Sequence, residues 1–169
     1  MSKSKIVGIM ALIAFAMGIL LVGAVVAGEY VKGRTVTHNT KWQQIDVGDQ
    51  DGHAVVVQEN KGVSTNLEGK WFADGWSYRD TGLSDVNLKT GLGSGHGYGE
   101  YTDRDGNKWY FTWEGKGVKG EKFVIWGGSW KAVKGTGKFE GIQGKGTWQL
   151  YPVGDQAYHD WEGEIELPR

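Results

Sequence analysis

Asp103, Asp105, Asn107 and Glu114 occupy positions 1, 3, 5 and 12 of the run Asp103 to Glu114, the spacing with which oxygen donors wrap a calcium ion. Position 6 of that run is Lys108, where such a loop needs glycine for its sharp turn. The second half also alternates: Trp109, Phe111 and Trp113 fall on one face, and Lys108, Tyr110, Thr112 and Glu114 on the other. That is strand periodicity, so Asp105-Gly106 reads as a hairpin turn rather than a cation loop. Asp46, Asp49, Asp51 and His53 form a second cluster of metal-ligating types. Asp51-Gly52 is again a strong turn signal, which makes this segment a connection between strands.

Other chemistries find no support. Gly135-Thr136-Gly137-Lys138 matches neither phosphate-loop spacing, and no helical pattern follows it to present an N-terminus to phosphate. No serine sits in a G-x-S-x-G elbow. The Glu162, Glu164, Glu166 row alternates with Trp161, Gly163 and Ile165, as on a strand with one solvated face. No catalytic residue, metal site or cofactor is therefore assigned. The absence of cysteine excludes disulfides, thiolate metal sites and a cysteine nucleophile. Nineteen basic residues against 20 acidic ones, dispersed along the chain, lack the concentrated basic face of a nucleic-acid binder.

The elements that carry these residues divide into two parts. Ile6 to Gly28 is a stretch of 23 uncharged residues behind Lys3 and Lys5. It is long enough for a transmembrane helix, and the lysines place the N-terminus on the cytoplasmic side. Val25-Val26-Ala27 also suits signal-peptide cleavage after Ala27. Residues 1–28 are accordingly expected to be a signal anchor or a signal peptide. The remainder is expected on the extracytoplasmic face if anchored, or secreted or periplasmic if cleaved.

Residues 29–169 read as one domain. With all nine tryptophans, most of the 29 glycines and few prolines, this part is neither collagen-like nor disordered. Alternating runs predict strands near 30–38, 41–47, 53–59, 69–78, 95–102, 108–114, 122–130, 146–151 and 158–167. Eight or nine short strands in one domain suggest an all-β antiparallel barrel, since closure removes exposed sheet edges. Glycine at every second position from Gly91 to Gly99 would leave one strand face bare. Neighbouring aromatic rings could pack there, or a ligand could.

Gly127-Gly128, the run from Gly135-Thr136-Gly137-Lys138-Phe139-Glu140-Gly141 to Gly146-Thr147-Trp148, and more weakly Gly48-Asp49-x-x-Gly52-His53 with Lys61-Gly62, resemble the allene oxide cyclase-like barrels and their dirigent relatives. The similarity is greatest to uncharacterised exported bacterial members. It implies an eight-stranded antiparallel barrel of calycin or allene oxide cyclase type around a largely apolar cavity. The acid and water-holding residues of the plant enzymes find no match here, so no catalytic role carries over.

Three functions follow as expectations. The first is an anchored or exported barrel that binds a small apolar or aromatic ligand through Trp109, Phe111, Trp113, Trp148 and Trp161. The second is an accessory subunit docking onto a membrane-protein partner through its helix and barrel surface. The third is a cyclase-type enzyme, which requires a buried carboxylate or histidine beside an open apolar pocket.

Overall fold

The computed structural model describes residues 28–69, 72–121 and 123–167; the expected anchor or signal segment lies outside them. Among the described residues no helix is long and apolar enough to cross a membrane. The described residues form eight antiparallel strands: β1 (Glu29–Asp46), β2 (His53–Glu68), β3 (Ser77–Asn87), β4 (Leu92–Thr102), β5 (Lys108–Lys119), β6 (Val124–Gly135), β7 (Gln143–Val153) and β8 (Gln156–Glu166). Each pairs with its sequence neighbours, and β8 closes onto β1, giving a barrel. The expected all-β class and strand number hold.

The boundaries differ from the sequence expectation in informative places. The runs 30–38 and 41–47 are one strand, with a register shift between Asn39 and Lys41 absorbing the break in alternation. Beyond His38, β1 pairs only with β2, so closure leaves an open edge over its second half. Residues 69 and 72–76 are not strand but turn and loop, and the strand expected there begins at Ser77. Its inward residues are Tyr78, Asp80, Gly82, Ser84 and Val86, while Arg79, Thr81, Leu83 and Asp85 face out. A carboxylate inside and a leucine outside invert the usual pattern, which is why Arg79 to Asn87 does not read as a strand.

The glycine and tryptophan excess has one geometric cause. Along hydrogen-bonded rows, tryptophan is followed on the next two strands by glycine: Trp113–Gly97–Gly82, Trp130–Gly146–Gly163 and Trp148–Gly128–Gly115. Each indole reaches across the neighbouring strand to the next. A Cβ at Gly97 would stand 2.8 Å from Cε2 of Trp113, and one at Gly82 2.6 Å from its Cη2. Likewise a Cβ at Gly163 would be 2.5 Å from Cζ2 of Trp130, and one at Gly115 2.5 Å from Cζ2 of Trp148. The rings thus lie against backbone inside a narrow barrel, burying large apolar area without a second layer of side chains.

One end of the barrel is plugged. Phe72, Ala73 and Trp76 from the β2–β3 loop, with Phe139 and Ile142 from the β6–β7 connection, are all buried there. Phe72 packs on Trp76 and Trp109 at ring-centroid distances of 4.9 and 5.6 Å, and Trp76 on Phe139 at 5.2 Å. Ser64 and Trp76, and Gly75 and Ser64, exchange backbone hydrogen bonds of 2.9 and 2.8 Å, tying the loop to β2. Ala73 adopts φ +64° with no exposed surface, a conformation held by the packing around it.

Candidate ligand-binding cavity

Above this plug the barrel is hollow. A cavity of about 310 Å³ extends toward the opposite end, where Trp42 and Leu88 line it and are themselves exposed. All five aromatic residues singled out from the sequence line it: Trp109, Phe111, Trp113, Trp148 and Trp161, joined by Trp126 and Trp130. The bare glycine faces therefore serve aromatic packing, and the space enclosed by those rings remains open.

The five rings are held to different degrees. Trp161 donates its indole N–H to Thr35 Oγ1 at 3.1 Å, and Trp148 donates to the Ser129 carbonyl at 3.2 Å. Trp130 donates to the Glu162 carbonyl at 3.2 Å. Trp109 and Trp113 bury their Nε1 atoms without a hydrogen-bond partner, a cost that packing must offset. Trp109 stacks on Tyr101 at 5.2 Å and Trp113 meets Trp148 edge-on at 5.8 Å.

The cavity is two-sided. The β5–β8 wall is aromatic, whereas β2 and β3 contribute Gln58, Asn60, Asp80 and Ser84. Asp80 is only 4% exposed. Its Oδ1 accepts from Asn60 Nδ2 at 2.8 Å and its Oδ2 from the Tyr78 hydroxyl at 2.7 Å. Burial raises its pKa, and the two hydrogen bonds oppose that rise. Tyr78 also meets the ring of His159 at 5.7 Å. His159 contacts Thr37 Oγ1 at 3.3 Å and stacks with Trp148 at 6.1 Å. Burial lowers the His159 pKa to about 4, so the imidazole is neutral at physiological pH. Asp80, Tyr78 and His159 were not legible as site residues, because the inverted alternation of β3 hid the first two and His159 is a lone histidine among acidic neighbours.

The two acidic clusters of the sequence lie elsewhere, as turns. Gly106 and Gly52 take φ +83° and +80°, the conformation the hairpin turns demand. Asp103 Oδ1 accepts from the backbone N–H groups of Asp105 and Asn107 at 2.9 and 2.8 Å, and Lys138 Nζ lies 2.6 Å from Oδ2. His53 sits between Asp49, on its Nδ1, and Asp85, 2.7 Å from its Nε2; these contacts, Asp49 first, raise its pKa. Among the described residues no group of three or more His, Cys, Asp or Glu side chains is arranged to hold a metal ion. Glu162 and Glu164 are exposed and Glu166 half-buried, on the outer face of β8.

No family model matches the chain, and no curated protein matches it. Among solved structures the barrel is similar to that of the pterocarpan synthase dirigent protein GePTS1, with a TM-score of 0.50 over 88% of this chain and 94% of that one, at 10% identity. At that identity the likeness is one of fold: an eight-stranded barrel of dirigent or allene oxide cyclase-like type.

Proposed function

We propose that this protein is an extracytoplasmic binding barrel, exported or tethered by residues 6–27, that takes a small, largely apolar aromatic molecule into its cavity. The observation that carries the proposal is the cavity itself: about 310 Å³ lined by indole and phenyl rings with a few polar groups on one wall. Apolar pockets with sparse, placed polar groups are where small ligands bind. The dirigent-type fold is compatible with this role. β1 enters the barrel at the plugged end, where Glu29 pairs with the buried Ile165.

The test is isothermal titration of the full chain with 2-naphthylmethanol, a neutral aromatic probe, against the variant Leu150→Trp. Leu150 lines the cavity, and an indole there would narrow it. One probe per native chain and weaker binding in the variant support the proposal; no binding to the native barrel contradicts it.

A second reading, an enzyme of cyclase type, draws on the buried Asp80 with Tyr78 and His159 at the same cavity. These are a carboxyl and an imidazole suited to moving protons on an enclosed substrate. Mass spectrometry of molecules retained by native protein and by Asp80→Asn separates the readings: a chemically different retained molecule supports catalysis, and the same molecule supports binding alone.

A further inference from the structure

We propose that the ligand is an organic cation, an amine or ammonium carried on an aromatic body, with its charge directed at Asp80. This rests on the reading of the cavity as a binding site and names the class of molecule it selects. Three observations converge on it.

First, the hydrogen bonds around Asp80 favour its ionised form. Each oxygen accepts one hydrogen bond, from Asn60 and from Tyr78. They oppose the rise in pKa that burial causes, and a cation brought beside the carboxyl would complete its ionisation.

Second, the described residues supply the cavity with no counter-charge. Among them, neither lysine nor arginine lines it. The basic group present, His159, is buried and neutral. Arg79 and Lys61, near Asp80 in sequence and register, lie on the outer face, where Arg79 pairs with Glu59 at 2.6 Å and Lys61 lies 3.8 Å from it. An enclosed carboxylate without a cation is unfavourable, and a positively charged guest removes that cost.

Third, much of the remaining lining is aromatic. Trp113, Trp126, Trp130 and Trp148 line the cavity, and their ring quadrupoles attract cations and repel anions. A carboxylate and indoles lining one cavity can together hold an ammonium group.

The experiment is a calorimetric comparison of three probes that differ in one group: 2-naphthylmethylammonium, 2-naphthylmethanol and 2-naphthoate, each titrated at neutral pH into the full chain. The inference expects the ammonium to bind at least about tenfold more tightly than the alcohol, to displace it competitively, and the carboxylate not to bind. In Asp80→Asn, folded by circular dichroism, the ratio of ammonium to alcohol affinity falls to about one. Equal binding of ammonium and alcohol to the native barrel, or tighter binding of naphthoate, overturns the cation assignment while leaving the binding barrel intact. Failure of all three probes to bind overturns both. The native-protein ratio decides the matter even if the Asp80 variant does not fold.

Discussion

The indole of Trp113 occupies the space that a side chain on Gly82 would need, two strands away across the barrel wall. This is the repeating unit of the interior, found again where Trp130 crosses Gly146 to reach Gly163. It converts an unusual composition into a cavity: indoles laid along rows of glycine keep bulk against the wall and leave the middle open.

Gly82→Ala should therefore destabilise the fold by about 1–3 kcal/mol through overpacking, with Trp113 forced from its position. Trp113→Ala should cost about 3–5 kcal/mol through the void it leaves. In the double variant the alanine at 82 should cost little, because the ring it meets is gone. Urea unfolding of the four proteins measures the coupling; additive effects would show that the two positions do not share one space.

His159 gives a pH dependence whose sign follows from its burial. Its folded pKa is about 4, below the ordinary histidine value near 6.5. Between those values the unfolded chain binds more protons, so stability falls as pH drops from about 6.5 to about 4 and levels off below. Unfolding midpoints across that window should show the loss, and His159→Gln should flatten it. An unchanged slope in the variant would place the titration elsewhere.

Glu59 acts in the same direction at lower pH. Its side chain is 6% exposed, beneath Arg79 and Lys41. The Arg79 guanidinium, then the Thr40 hydroxyl, hold its pKa down to about 2. Stability from this pair is full above about 4.5 and is lost as pH falls toward about 2. Arg79→Met should weaken that dependence and move the Glu59 carboxyl resonance in an NMR titration toward the ordinary range. A resonance still titrating near 2 would assign the shift to other groups.

The barrel was legible from the sequence wherever alternation kept its ordinary sense. Trp109, Phe111 and Trp113 against Tyr110 and Thr112, and Trp161 against Glu162, have apolar inside and polar outside. The aromatic wall followed from those runs. The polar wall did not, because Asp80 and Ser84 point inward from a strand that sends Leu83 outward, a pattern that makes sense only once the interior is known to be hollow. The β2–β3 loop was misread for the related reason that Phe72 and Trp76 look like strand residues. They are buried as a plug across the barrel end, a tertiary contact that no local periodicity encodes.

The central claim, a hollow barrel built to hold an aromatic guest, is tested most directly by titrating 2-naphthylmethanol into the native chain and into Leu150→Trp, with heat and stoichiometry as readouts. The account predicts one probe bound per native chain and weaker binding in the narrowed variant. Native protein that binds no probe, or a variant that binds it as well as the native barrel does, would contradict it.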